Sequence, residues 1–189
     1  MATLIRSLLI VLVLFLIWFV NNSFNEVPNE DNLVTDILGL DGVPDYYSET
    51  LKFQQFNEKG VLQSVINTDR LLHYPDQQQA FLESPEIILY GTEGDTWEVT
   101  SGKGSIADNN SKMTLTEDVL LRLLNKAKQQ KVVIKTDSLN YNVSEQTLWT
   151  DSDVFAETKQ GSFNAKGLKI LIKSEHIFLK EKVRIHYGL

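Results

Sequence analysis

Residues 46–189 alternate between apolar and polar positions over short stretches that are separated by polar turns, a pattern typical of antiparallel strands. The first two stretches, ETLKFQQF and VLQSVI, are joined by the turn NEKG. Similar strand–turn–strand modules begin near Asn67, Thr100, Lys135 and Asn164. Units of this size cannot bury a face alone, so they stack on their neighbours and share one core. The pattern predicts an all-β domain over residues 46–189: a roll, a jelly roll or a solenoid.

Equivalent positions of the four modules predict which side chains face the interior. The fifth residues are Leu71, Gly104, Leu139 and Leu168, and two places further on come His73, Ile106, Tyr141 and Ile170. Because residues i and i+2 of a strand share a face, both sets are expected on the inward side. The second strand of each module is expected at Ile87, Val119, Val154 and Val183.

One segment is ambiguous. The stretch EDVLLRLLNKAKQQK has leucines at a spacing that suits an amphipathic helix and is rich in good helix formers. Its place in the module order instead predicts a strand over residues 117–124 and then a lysine-rich loop over residues 126–131. We predict the strand; the sequence does not indicate a role for the loop.

The N-terminus carries an apolar run, Leu8–Val20. Its 13 residues would form a helix of roughly 20 Å, short for a bilayer core of about 30 Å. However, residues 7–25 carry no charge, and Arg6 has a stem long enough to reach the interface. An A-x-A cleavage pattern is absent from the sequence after the run, so an uncleaved anchor is favoured over a cleaved signal or a buried soluble helix.

The charges flanking this run predict its orientation. Arg6 and the free amine precede it, whereas the next basic residue is Lys52. We therefore expect a short cytoplasmic N-terminus (residues 1–6), one transmembrane helix (7–25), an acidic linker (26–45) and a main domain (46–189) beyond the membrane, the periplasm of a Gram-negative cell. Within the linker, LVTDILGL has helical apolar spacing, which suits a contact with a membrane or partner and equally a local hydrophobic cluster.

Catalytic and cofactor signatures are weak. The chain has 189 residues, a net charge of −7 and no cysteine, and its three histidines lie far apart in sequence. Its acidic pairs, Asp151 with Asp153 and Glu117 with Asp118, are expected at turns, where Asp is common. We predict no enzyme activity, no metal, no cofactor and no nucleic-acid partner. The basic residues concentrate after residue 102, either as a solvated surface or as a local site for an acidic partner.

The chain resembles the lipopolysaccharide-export protein family LptC. The resemblance rests on the N-terminal anchor, YYSETLKFQQFNEKGVLQ, TDRLLHYPD, VIKTDSLNYNVSEQTLWTDSDV and, most specifically, GLKILIKSEHIFLKEKVRIHY. It implies a twisted, open β-jellyroll of about 15 antiparallel strands in the periplasm, anchored in the inner membrane. It also implies three partners: lipopolysaccharide, the inner-membrane ABC transporter that extracts it, and a soluble periplasmic bridge protein. One departure is that Gln160, followed by Gly161, stands where the family often has glycine, which puts the local turn in doubt.

The resemblance also implies site residues. Positions that match lipid-facing places in the family are Ser48, Leu82, Ile177 and Tyr187. The module pattern adds Leu71, Leu139, Tyr141, Leu179 and Ile185. For any one of these nine positions, plain core is favoured over a lipid contact. The resemblance places the transporter at the N-terminal strands and the bridge protein at the C-terminal strand. Expected contacts with the bridge protein are Val183, Arg184, His186 and Tyr187.

Overall fold

The computed structural model describes residues 42–92, 94–107 and 112–188. Pro44–Leu189 forms one compact unit. The described part contains eleven strands and a 3-10 helix at Pro75–Gln77. The strands are β1 (Tyr46–Phe56), β2 (Leu62–Tyr74), β3 (Gln79–Glu83), β4 (Glu86–Tyr90), β5 (Thr96–Thr100), β6 (Lys103–Ala107), β7 (Lys112–Leu124), β8 (Gln130–Asn142), β9 (Thr147–Thr158), β10 (Gly161–Leu171) and β11 (His176–Tyr187).

The predicted transmembrane helix (7–25), the N-terminal residues before it and most of the predicted linker lie outside the described residues. Over the ranges that the structure describes, no helix is long and apolar enough to cross a membrane. The first strand, β1, begins at Tyr46.

All described strands belong to one antiparallel sheet that folds back on itself. Its order is β11-β10-β9-β8-β7-β5-β4-β2-β3-β6, β1 pairs with β2, and β6 also pairs with β7. The long strands β2 and β7 therefore each contribute to two halves of the sheet. The first part of β2 and the last part of β7 are connected through β4 and β5, and we call this part of the sheet half-sheet A. The last part of β2 and the first part of β7 are connected through β3 and β6, and we call this part half-sheet B.

The long strands bend where they pass from one half-sheet to the other. The bends in β1, β7 and β11 lie at residues with positive φ, Thr50 (55°), Glu117 (65°) and Lys182 (49°), and in β10 at Gly167 (81°). The pairing register also shifts at this level between β7 and β8, β8 and β9, β9 and β10, and β10 and β11. Bulges and left-handed residues sharpen the bend of a strand. Together these bends form a line across the sheet, which we call the crease.

Threonine hydroxyls satisfy backbone groups that the crease removes from the strand ladder. The Thr68 Oγ1 lies 2.6 Å from the Glu83 carbonyl, and the Thr136 Oγ1 donates to the Asp153 carbonyl at 2.9 Å. The Thr150 Oγ1 accepts from the Ser152 amide at 3.0 Å. Each of the three is followed by aspartate, so the sequence Thr-Asp recurs at the crease. Unpaired buried backbone groups are costly, which explains why a side-chain oxygen stands at the crease in β2, β8 and β9.

The sequence predicted the last three modules well. They form the hairpins β6–β7, β8–β9 and β10–β11, and the ambiguous segment is strand through Leu124. In the loop that follows, the Asn125 side chain accepts from the amides of Ala127 and Gln129, and Lys131 pairs with Asp95.

The first module was predicted incorrectly in part. Ile87 does not lie on the strand that follows the first turn, because β2 forms its hairpin with β3, and Ile87 lies on β4 between β2 and β5. The strand β5 was not predicted. The described part has eleven strands rather than about 15, because the long strands continue through the crease. Asp151 and Asp153 lie inside β9 at the crease, not in a hairpin turn.

Candidate functional site

Inward side chains on paired strands line up in rows that cross the whole sheet, because directly opposed residues of an antiparallel pair point to the same face. Half-sheet B has two such rows. The row nearer the crease contains Ser48, Leu71, Leu82, Gly104, Leu115 and Leu139, and it continues beyond a bulge to Leu168 and Leu179. The row further from the crease contains Tyr46, His73, Ala80, Ile106, Met113, Tyr141, Leu148, Ile170 and Ile177.

Half-sheet A has two matching rows. The row nearer the crease contains Phe53, Ile66, Ile87, Val99, Leu121, Ile134, Ala156, Phe163 and Ile185. The row further from the crease contains Gln55, Ser64, Leu89, Trp97, Leu123, Val132, Thr158, Gly161 and Tyr187. All four rows run from β1 at one edge to β11 at the other.

The middle of each row is buried, and two of the four rows end in exposed side chains at both edges, Tyr46 with Ile177 and Phe53 with Ile185. Val99, Ile134 and Leu139 are all 0% exposed and belong to one continuous core. On β11 the ends of two rows, Ile185 and Tyr187, are 55% and 81% exposed. The rows therefore extend the apolar interior to the surface at both edges.

The structure brings every predicted lipid-facing residue into this set of rows. Leu82, Leu139 and Tyr141 are fully buried. Ser48, Leu71 and Leu179 are half-buried, and Ile177, Ile185 and Tyr187 are exposed. The inward orientation predicted from the module positions is confirmed for Leu71, Leu139, Leu168, Tyr141 and Ile170.

Sequence reasoning missed most of half-sheet A. The two rows that contain Ile66, Val99 and Ile134 were not predicted as part of the site. Their signal is the ordinary alternation of apolar residues in β2, β5 and β8, which marks a buried face but does not reveal which strands pair. Phe53 and Tyr46, at the β1 edge, were also missed.

Several buried side chains carry polar groups, among them His73 and Tyr141. His73, expected as a core histidine with satisfied hydrogen bonds, is buried; its Nδ1 lies 2.5 Å from the Asp45 Oδ1, and its ring stacks on Tyr46 at 4.4 Å. Burial raises the pKa of Tyr141 to about 12, although a nearby Ser64 hydroxyl lowers that pKa in part. Among the described residues the Tyr141 hydroxyl has no hydrogen-bond partner, and the Ser64 hydroxyl donates to the Gln55 Oε1 at 3.2 Å.

Both edges of the sheet can accept another strand. Among the described residues, β1 pairs with β2 alone and β11 pairs with β10 alone, so each presents an unpaired row of backbone groups. The expected partner-binding residues Val183, Arg184, His186 and Tyr187 are all exposed on β11. His186 points into solvent, as its position between Ile185 and Tyr187 predicts.

The end of β11 depends on Gly161. The two-residue turn Lys159–Gln160 connects β9 to β10, and Gly161 at the start of β10 pairs with Tyr187. Its φ is +149°, and a Cβ at this position would lie 2.0 Å from the His186 carbonyl oxygen. The backbone of β11 therefore approaches β10 as closely as it does only because residue 161 has no side chain.

These features define the class of the protein: an open antiparallel β-roll whose apolar interior ends at two unpaired strands. The family model described as lipopolysaccharide-assembly, LptC-related, matches residues 8–188, and the chain belongs to this family. A similar protein is the lipopolysaccharide export system protein LptC of Haemophilus influenzae. It is 24% identical over 162 residues, which cover 76% of this chain and 77% of that protein. Membership of this family indicates a part in lipopolysaccharide transport.

Proposed function

We propose that this chain is a membrane-anchored relay for lipopolysaccharide. It accepts lipopolysaccharide from the inner-membrane ABC transporter of the export system and passes it to the soluble periplasmic bridge protein. Residues 7–25 would form the single anchor, with the N-terminus in the cytoplasm and the β-roll in the periplasm. The chain would carry out this step without catalysis, since the transfer of lipopolysaccharide requires only binding and release.

The observation that carries the proposal is that four inward rows run between the two edges of the roll. Burying one methylene is worth about 0.8 kcal/mol, so several acyl chains would prefer such an interior to water by tens of kcal/mol. A molecule held this tightly moves readily only between similar apolar surfaces or when a partner supplies energy. The exposed side chains Ile177, Ile185 and Tyr187 at the β11 ends of the rows would supply an apolar contact for a second β-domain.

Docking would use the two edge strands. A strand added to an unpaired edge gains main-chain hydrogen bonds, and alternate side chains supply specificity. The bridge protein would add to β11, where Val183, Arg184, His186 and Tyr187 are exposed. The transporter would approach β1, where Phe53 and Phe56 are 52% and 53% exposed.

The test is photo-crosslinking in the full-length chain assembled with the transporter. A photoreactive residue at Ile177 or Tyr187, at the β11 end of two rows, should capture lipopolysaccharide when ATP is supplied. The control is Lys169, which lies opposite Phe178 on the outward face of β10 and should capture none. Adducts that form equally at Lys169, or that never form at the row ends, would exclude the relay.

A second candidate is a scaffold that joins two machines by strand addition and binds no lipid. The filled interior, with Val99, Ile134 and Leu139 all 0% exposed, favours it. Under this alternative, every substitution that changes the interior would act through stability alone. A variant that folds normally, binds both partner proteins and fails to transport lipopolysaccharide would contradict the scaffold and support the relay.

A further inference from the structure

The inward rows of the roll differ in polarity. The two rows nearer the crease are apolar along their described length except for Ser48 at the β1 end. The two rows further from the crease, which we call the far rows, also contain amide, hydroxyl and imidazole groups. These belong to Gln55, Ser64 and Thr158 in half-sheet A and to His73 and Tyr141 in half-sheet B. The described interior is therefore graded, apolar beside the crease and partly polar away from it.

The Tyr141 hydroxyl is a buried donor in this polar part. The side chain is 0% exposed, and its hydroxyl has no hydrogen-bond partner among the described residues. Ser64 is a polar neighbour from the far row of half-sheet A, but the Ser64 hydroxyl donates to the Gln55 Oε1 at 3.2 Å. A phenylalanine would fill the same space without the free energy that an unpaired buried hydroxyl costs. Packing alone therefore does not account for a hydroxyl at position 141.

A second buried donor lies at the same end of half-sheet B. Gln146, in the turn that follows β8, is 3% exposed, and its Nε2 has no hydrogen-bond partner among the described residues. The backbone holds this turn against the end of β10, because the Gln146 carbonyl accepts from the Ile172 amide at 3.1 Å. Two residues beyond Gln146, Leu148 pairs with Tyr141 in the far row. One hydroxyl and one amide group, both buried, therefore stand close together in the fold without an acceptor.

Two donors without acceptors fit a ligand oxygen that accepts hydrogen bonds. In a lipid whose chains are joined by ester or amide links, the carbonyl oxygen at each link is such an acceptor. The hydrocarbon of the chain would lie against the apolar rows beside the crease, because burial of hydrocarbon is favourable. The carbonyl would then lie at the level of the far rows, where Tyr141 and Gln146 stand. The graded polarity of the interior matches the order of groups along an acylated lipid.

We infer that Tyr141 and Gln146 form a binding site for the ester or amide carbonyl of an acyl chain, and that this site fixes how deeply the chain lies in the roll. This inference rests on the proposed function, because the site belongs to the interior that would hold lipopolysaccharide. It adds a polar contact at one position to a surface that would otherwise accept any hydrocarbon. The alternative is that buried water satisfies both groups at rest and that neither contacts a ligand.

Two ligands that differ only in the carbonyl test the site. Methyl tetradecanoate is an ester, and methyl tetradecyl ether has a methylene in place of its carbonyl. Each is titrated into the purified full-length chain in detergent and followed by tryptophan fluorescence, since Trp97 lies in the far row of half-sheet A. The measured quantity is the ratio of the two dissociation constants. Tyr141→Phe should reduce the advantage of the ester about 3- to 10-fold, the range expected from one net hydrogen bond. Comparing ratios between proteins cancels the different solvation of the two ligands.

Tyr74→Phe is the matched control. The Tyr74 hydroxyl is also buried without a partner among the described residues, but Tyr74 follows the inward His73 and so lies on the opposite face of β2. The ratio should not change in this variant. Gln146→Met removes the second donor and should reduce the ratio in the same direction as Tyr141→Phe. An unchanged ratio in Tyr141→Phe or Gln146→Met, an equal reduction in Tyr74→Phe, or no binding of either ligand to the unsubstituted chain would overturn the inference.

The ligand-free protein supplies a second measurement. At neutral pH, Tyr141→Phe should not lower the urea concentration at the midpoint of unfolding, because the hydroxyl that it removes is unpaired. A lower midpoint would show that the hydroxyl is already bonded at rest, as buried water would require, and would overturn the inference.

Lipopolysaccharide itself separates this inference from the proposed function. In the full-length chain with its transporter and ATP, a photoreactive residue at Leu71, half-buried on the inward face, reports lipid in the interior. Tyr141→Phe should reduce the adduct about 3- to 10-fold, whereas Tyr74→Phe should leave it unchanged. An undiminished adduct in Tyr141→Phe would overturn the inference and leave the proposed function standing. If the unsubstituted chain captures no lipopolysaccharide at Leu71 or Ile177, the proposed function fails, and the ratio of ester to ether binding still decides whether the carbonyl site exists.

Discussion

Gly161→Ala should detach the end of β11 while leaving the rest of the roll folded. The new Cβ would lie 2.0 Å from the His186 carbonyl oxygen and 3.0 Å from the Tyr187 Cα. Carbon and oxygen approach one another to about 3.3 Å, so the two backbones must separate by about 1.3 Å. A backbone hydrogen bond of ordinary length does not survive that displacement.

The loss is local because the affected pairs lie at the end of β11. The register joins Gly161 to Tyr187 and Ser162 to His186, whereas Ile177 and Leu179 pair with β10 on the other side of the crease. Two hydrogen bonds lost at about 0.5–1.5 kcal/mol each lower the free energy of unfolding by about 1–3 kcal/mol. The amides of residues 186–187 should lose most of their protection, and those of residues 184–185, which still pair with Asn164 and Phe163, should lose less.

Hydrogen exchange followed by mass spectrometry measures this directly. The peptide that contains residues 184–187 should exchange faster in Gly161→Ala, and peptides from β4 and β5 should not change. Gly60→Ala is the matched control, since Gly60 also has a positive φ (+73°) but a Cβ there would meet nothing within 4 Å. Unchanged exchange at residues 184–187 in Gly161→Ala would refute the reasoning. If the bridge protein binds β11, the same variant should also weaken that complex.

Three further predictions follow from the core and the crease. Leu139→Ala removes a fully buried side chain and should lower the free energy of unfolding by about 2–5 kcal/mol in urea titration; a change below 1 kcal/mol would show that the interior is loosely packed. Thr68→Val leaves the Glu83 carbonyl without its hydroxyl donor and should cost about 1–3 kcal/mol by the same titration, more than Thr114→Val, which removes a hydroxyl that donates to the Asn140 side chain. The raised pKa of Tyr141 means that the folded state holds this proton more tightly than the unfolded state. Stability should therefore fall as the pH rises from 10 to about 12, and Tyr141→Phe should flatten that fall; an equal slope in both proteins would contradict it.

The sequence by itself determined the fold class, the family and the direction of many side chains. Alternating apolar residues in β8 and β10 placed Leu139, Tyr141 and Leu168 on one face, because the two-residue period of a strand is fixed by local backbone geometry. The module spacing also resolved residues 117–124 as strand against their helical appearance. Each of these inferences depends only on residues close together in the chain.

The tertiary structure alone decided which strands are neighbours. That β2 and β7 each serve two half-sheets, and that four rows cross from β1 to β11, follows from pairings between residues far apart in sequence. The same is true of Thr92 and Lys173, which are 81 residues apart and share a hydrogen bond. Local patterns encode the face that a strand buries but not its partner, because pairing is chosen by the packing of the whole core.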